Sequence, residues 1–215
     1  MQETSPAASP SRRELNKQAT RNAISAAALK LAREQGPGGF TVDTLADAAG
    51  VSRRTFFNYF PSIEAAVARP IEEFLDGAFS RLDERPADEP IVDAVMATLG
   101  GDMGREQMAV LCEVYAMTED SPQLERMQLQ LWNSAQQKLE DGLTVRLGAA
   151  AGELLVRALA GSLVACAKAA MRTAADSAAG RNPDPLSFHN HLLESIGLLR
   201  SGFNINGINH DPKDS

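Results

Sequence analysis

The sequence predicts an all-α protein built in two parts, and three observations lead there. Ala and Leu, both strong helix formers, dominate the chain, while β-branched residues are sparse and strict apolar–polar alternation is absent. Apolar residues recur instead at i, i+3, i+4 and i+7, as in Ile24, Ala27, Ala28 and Leu31. Gly- and Pro-rich breaks cut the chain into segments of helical length. No internal repeat of about 20–50 residues is present, which argues against a solenoid array.

The first helix is expected from about Glu14 to Gln35, stopped by Gly36-Pro37-Gly38-Gly39. A short helix follows from Val42 to Ala49, with Thr41 at its N-cap and Asp43 in the first turn, where the helix dipole favours a carboxylate. Gly50-Val51 turns the chain, Ser52 caps a third helix from Arg53 to Phe60, and Pro61 ends it. Six longer helices are expected at about 62–82, 89–101, 105–118, 121–147, 150–179 and 185–201. Their breaks lie at 86–90, at Gly100-Gly101 and Gly104, at Ser121-Pro122, at Gly148, and from Gly180 to Pro185. Residues 1–11 and 202–215 are expected to form a disordered arm and tail.

A length of 215 residues with 44% hydrophobic and 23% charged residues is enough to bury a real core. No stretch approaches the roughly 20 apolar residues of a membrane span, and residues 1–14 lack the apolar core of a secretory signal. Cys112 and Cys166 stand too far apart for a C-x-x-C motif and too few for a disulfide scaffold. A cytoplasmic protein with no membrane partner is expected. The net charge of −7 argues at first sight against nucleic acid. Its distribution reverses that reading. Residues 12–69 carry nine Lys+Arg against five Asp+Glu, and residues 70–215 carry twelve against twenty-two.

The informative segment is TVDTLADAAGVSRRTFFNYF, residues 41–60. Two short helices joined by a tight turn containing Gly make a helix-turn-helix. Ala46 is small where the helices cross, Gly50 takes the turn conformation, and Phe56 plugs the second helix onto the first, with Val42, Leu45 and Val51 completing the core. The second helix then presents Arg53, Arg54, Thr55, Asn58 and Tyr59. Arg forks onto guanine O6/N7 and Asn pairs with adenine, while hydroxyls and helix N-terminal N–H groups bond phosphate. Thr41, Thr44, Ser52, Arg53, Arg54, Thr55, Asn58 and Tyr59 are therefore the candidate DNA contacts.

These residues resemble the DNA-binding domain of tetracycline-repressor-type (TetR) regulators. Thr41 to Ser52 fits T-x-x-x-[IL]-A-x-x-A-G-[VI]-S, and GVSRRTFFNYFPSIEAAV is similar to the aromatic-rich segment after it. The resemblance covers about residues 15–68, and the rest follows only in helical layout. Two positions depart from the pattern: Ile63 stands where the family has Lys, and Phe57 where it has Tyr. Both remove phosphate-bonding groups, for which Arg12, Arg13, Lys17 and Arg21 are candidate substitutes.

Beyond residue 70 there is no G-x-S-x-G, Walker A, H-E-x-x-H or G-x-G-x-x-G motif, so no catalytic residue and no cofactor is expected. His189 and His191 sit two apart on a helix and diverge, and His210 stands in the tail, so no metal site is expected. Met96, Met103, Met108, Cys112, Tyr115, Met117, Met127 and Trp132 offer soft apolar surface suited to varied apolar ligands, or to ordinary core. The resemblance implies a cavity for a small-molecule effector, for which Met96, Met108, Cys112, Tyr115 and Trp132 are the candidate wall. Arg157, Lys168 and Arg172 are candidates for an acidic head group.

Leu155, Leu159, Ser162, Cys166 and Ala169/Ala170 form one stripe, with Gly161 and Ala165 allowing close approach. Leu192, Ile196, Leu199 and Phe203 form a second. These read as a homodimer interface, the alternative being a monomer with the stripes buried internally, and the resemblance implies pairing of two such helices per subunit into a four-helix bundle. The expected domains are a helix-turn-helix DNA-binding domain over 12–61 and a ligand-binding and dimerisation domain over 62–201. The expected function is a ligand-responsive homodimeric repressor on a double-stranded pseudo-palindromic operator. A helical ligand-binding protein or enzyme with a vestigial helix-turn-helix, and an activator, are the alternatives.

Overall fold

The computed structural model describes residues 11–101, 105–118, 121–148, 151–178 and 181–202. The expectations for residues 1–10, Met103, Gly104, Gly180, Phe203 and His210 lie outside them. The described residues form helices and no strand: α1 (Arg12–Gln35), α2 (Val42–Ala48), α3 (Arg53–Tyr59), α4 (Ile63–Asp83), α5 (Ile91–Gly100), α6 (Arg105–Ala116), α7 (Pro122–Leu147), α8 (Glu153–Ala178) and α9 (Pro185–Arg200). Contacts divide the chain into two compact units between Arg69 and Pro70, within α4. The sequence places the boundary at 61/62.

Caps set most of the ends. Ser11, assigned by sequence to the disordered arm, is the N-cap of α1: its hydroxyl accepts from the Glu14 amide at 3.3 Å while its own amide donates to Glu14 Oε2 at 2.8 Å. This capping box holds the Glu14 carboxyl below the usual carboxylate range, first through the bond from the Ser11 backbone. Ser121 and Asp184 cap α7 and α9, each followed by a Pro at the position where a missing N–H costs nothing. Gly148 ends α7 at φ +68°.

In the first unit, Ile24, Ala28, Leu29, Leu31 and Ala32 of α1 pack with Phe40, Leu45, Ala46, Phe56, Phe60 and residues 65–68 as buried core. One polar bond is buried with them. Pro70 lies inside α4 and has no N–H to give the carbonyl four residues earlier, which belongs to Ala66. That carbonyl accepts the hydroxyl of Ser25 at 2.9 Å, and Ser25 is 5% exposed.

In the second unit α8 packs on α9 most extensively and then on α7, and α9 also meets α5 and α6. Met108, Leu111, Cys112, Leu163, Cys166, Met171, Phe188, Leu192 and Ile196 are among its core residues. Cys166 Sγ lies 3.4 Å from the Ser195 carbonyl and Ser195 Oγ 3.2 Å from the Cys166 carbonyl, a reciprocal tie between α8 and α9. Arg146 near the end of α7 donates to the carbonyls of Arg85, Pro86 and Glu89, and so fixes the loop before α5.

The expectation that no segment is apolar enough to span a membrane needs correction. By length and composition alone α8 qualifies, with a mean hydropathy of 1.6 in its most apolar window. The Ala-rich sequence raises hydropathy through many small side chains rather than a continuous bulky run. Val156, Ala160, Leu163, Val164, Ala170, Met171 and Ala174 are buried within the unit, and 39% of that window is buried in all.

Ser25→Ala should destabilise the first unit by about 1–3 kcal/mol, because the buried Ala66 carbonyl loses its partner. Urea unfolding checks this; a variant as stable as wild type contradicts it.

Candidate nucleic-acid interface

The helix-turn-helix is assembled by local hydrogen bonds and one aromatic plug. Thr41 Oγ1 accepts from the Thr44 amide at 3.2 Å, starting α2, and Ser52 Oγ accepts from the Thr55 amide at 3.0 Å, starting α3. Between them Gly50 adopts φ +66°, which other residues take only with strain. The Val51 amide then returns to the Ala46 carbonyl at 2.9 Å. Ala46 and Leu45 are buried, and Phe56 is fully buried and stacked on Phe60 with centroids 6.2 Å apart. Arg21 of α1 lies 5.2 Å from the Phe60 ring centroid, so it braces the back of this core rather than standing in a loose arm.

The eight candidate DNA contacts do not all point outward. Arg53, Arg54 and Asn58 of α3 are exposed, as are Thr41, Thr44 and Ser52. Thr55 and Tyr59 are half-buried. The hydroxyls of Thr41 and Thr44 lie 3.0 Å apart and those of Ser52 and Thr55 2.8 Å apart, so each pair already shares a hydrogen bond. Arg53 is held by Asp43 across the two helices, Nη1 to Oδ2 at 2.9 Å, and both side chains are largely solvated. The attraction is thus screened, and its main effect is to orient the guanidinium.

One outward residue is absent from the sequence-derived set. Phe57 is 48% exposed on the same side of α3 as Arg53, whose guanidinium carbon is 5.7 Å from its ring centroid. The i,i+4 spacing carried that signal, but it is read in the sequence only as a Tyr that has lost its hydroxyl. Ile63, the other departure, is half-buried at the start of α4, while Ser62 caps that helix through the Ala65 amide at 3.2 Å.

The second unit holds an internal cavity of about 130 Å³ between α4, α5, α6, α7, α8 and α9. Tyr115 and Trp132 line it; Met96, Met108 and Cys112 do not. Met108 and Cys112 are 2% and 1% exposed in the packed core, and Met96 packs beside it. The wall is instead made by residues such as Phe74, Phe79, Leu131, Leu139 and Val164, and almost no polar surface faces the cavity. No Asp, Glu, Lys or Arg lines it. Lys168 lies outside the wall, its ammonium 5.8 Å from the Trp132 ring centroid. Burial, and then the charge of Asp184, push the Cys112 thiol up from 9.0 to about 11, which suits a packing role.

The dimerisation stripes are placed differently from the sequence expectation. Cys166, Leu192 and Ile196 are buried inside the unit and are not available to a partner. Leu159, Ser162 and Leu199 are half-buried, and Leu155 is exposed. An apolar stripe seen in sequence does not say which neighbour covers it, and here the bulkier residues of α8 and α9 face each other and the core. The large apolar side chains left outside on these helices are Leu154, Leu155, Leu186 and Leu198.

Comparison with known proteins agrees with this geometry. Residues 24–68 match the family model for bacterial regulatory proteins, tetR family. The chain is 32% identical over 96 residues to the HTH-type transcriptional regulator TcmR of Streptomyces glaucescens, covering 45% of this chain and 42% of that protein. The match therefore spans less than half the length of this curated relative. A putative TetR-family transcriptional regulator from Mesorhizobium loti has the same fold over 90% of this chain and 98% of its own, with a TM-score of 0.51 at 15% identity. Salmonella enterica GusR aligns over 85% and 96%, with a TM-score of 0.50 at 22% identity. Over residues 24–68 the chain is therefore similar to the tetR family of bacterial regulatory proteins, and the solved structures share its fold.

Proposed function

We propose that this protein is a cytoplasmic, ligand-responsive repressor that acts as a homodimer on a pseudo-palindromic operator. The observation that carries the reading is the outward face of α3, where Arg53, Arg54 and Asn58 are exposed while Phe56 anchors the helix from behind. Arg54 and Asn58 stand at i and i+4, on one side of the helix, and supply the two side-chain types best matched to guanine and adenine in the major groove. The excess of Lys and Arg in residues 12–69 supplies attraction for phosphate.

Two half-sites in successive major grooves require two copies of α3 held at a fixed spacing. The exposed Leu154 and Leu155 of α8 and Leu198 of α9 are the apolar side chains offered for self-association, with Leu159, Ser162 and Leu199 half-buried on the same helices. The effector is an apolar or amphipathic small molecule in the cavity beside Tyr115 and Trp132. It releases DNA by binding more tightly to a conformation in which the recognition helices are mis-spaced; ligand binding without that preference shifts nothing. α4, which begins in one unit and ends in the other, is the connecting element.

A second reading, a helical ligand-binding protein that has lost DNA binding, is favoured by Ile63 in place of a cation. Titration of labelled duplex from the flank of the protein's own gene separates the two. Repressor function predicts two chains per site, log K falling linearly with log salt, and a loss of about 1–3 kcal/mol for Arg54→Ala with dimerisation unchanged. Salt-independent binding, or full affinity in Arg54→Ala, contradicts it.

Trp132 is the chain's single Trp, so its emission reports the cavity directly. Saturable quenching by N-phenyl-1-naphthylamine is expected, and Ala135→Trp with Trp132→Phe, which crowds the wall and moves the reporter, should weaken probe binding. Non-saturable quenching in the wild type contradicts an effector site there.

A further inference from the structure

Phe57 is a large apolar ring on a short helix whose neighbouring face is cationic. The two other Phe residues of this segment, Phe56 and Phe60, are 0% and 1% exposed, whereas Phe57 is 48% exposed. The core does not take up the whole of this ring. Nor is the ring loosely held. It meets Phe56 edge-on, with centroids 5.1 Å apart and planes at 74°, and Phe56 is locked in the core. On its other side lies Arg53, which Asp43 anchors at 2.9 Å. Asp43, Arg53 and Phe57 thus form one assembly whose parts are oriented before any partner arrives.

The chemistry of base edges gives that assembly a target. Asp43 engages one nitrogen of the Arg53 fork, so donors remain for a guanine O6 or N7. Four residues along a helix advance by about 6 Å, comparable to one or two base-pair steps of about 3.4 Å. The apolar group that a base edge presents in the major groove is the thymine 5-methyl, and Phe is among the side chains that contact it. Resting on the proposed role of α3 as recognition helix, we infer that Phe57 is a specificity-determining residue. It packs on the methyl of a thymine lying one or two steps from a guanine read by Arg53.

The test removes the methyl and nothing else. The full chain first selects its preferred duplexes from a random-core DNA library. Each thymine of the selected sequence is then replaced by deoxyuridine, which keeps every hydrogen-bonding group, and binding is measured for wild type, Phe57→Ala and Phe57→Leu. In each half-site one thymine near a guanine should be sensitive, its replacement weakening wild-type binding about fourfold, the value of one buried methyl-sized group. Phe57→Ala should bind thymine and deoxyuridine duplexes equally, and Phe57→Leu should recover part of the discrimination. A selected sequence with no methyl-sensitive thymine, or undiminished discrimination in Phe57→Ala, overturns the inference. Failure to select any sequence overturns the recognition-helix reading itself, and the two failures are distinguishable by whether a preferred sequence emerges.

Discussion

The burial of Phe56 fixes the rotational phase of α3, and the proposed DNA-facing chemistry depends on that phase. A seven-residue helix has little propensity to persist alone, so packing rather than intrinsic preference must hold it. Turning α3 by one residue, about 100°, would expose Phe56 and forfeit about 1.5–3 kcal/mol of burial. It would also turn Arg54 and Asn58, which share one side of the helix, away from their outward position. The small Ala46 and the left-handed Gly50 allow the close approach that makes this burial possible. The caps at Thr41 and Ser52 fix where each helix starts, and so which residues occupy its outward positions.

The second unit answers a different physical demand. Its middle is lined by Phe, Leu and Val side chains around a void, with polar atoms sparse and formal charge absent from the wall. A charged guest would lose its hydration there without a counter-charge, at a cost of several kcal/mol, whereas an uncharged apolar guest gains from displacing water. Pro70 marks the division between the units within α4, and Ser25 satisfies the carbonyl that this proline leaves open.

Much of this was legible in the sequence, for identifiable reasons. Helix ends were readable because Gly36-Pro37, Ser121-Pro122 and Asp184-Pro185 announce them through backbone chemistry alone. The Ala46, Gly50 and Phe56 pattern was readable because steric demand at a helix crossing leaves few choices. The capping box of Ser11 and Glu14 carried a local signal too, but it sat beside a Pro- and Ser-rich stretch that suggested disorder. What depended on tertiary packing was not readable. Periodicity identified apolar stripes on α8 and α9, yet those helices are apolar on more than one side, so Cys166, Leu192 and Ile196 turned inward. Met108 and Cys112 had the softness suited to a pocket wall, but neighbouring helices close over them, whereas Phe79 and Val164 border the void. The outward ring of Phe57 is not legible either, because its 48% exposure follows from how Phe56 and Phe60 are buried around it.

As the proposed recognition helix, α3 should enter the major groove. Ala48→Cys, exposed at the end of α2 beside the turn into α3 and outside the proposed contact set, offers a site for a tethered iron chelate, because the native Cys112 and Cys166 are buried. Bound to its selected duplex, the labelled protein should cut DNA in two short clusters about one helical turn apart. Cleavage that is absent, or scattered evenly along the duplex, would contradict the account.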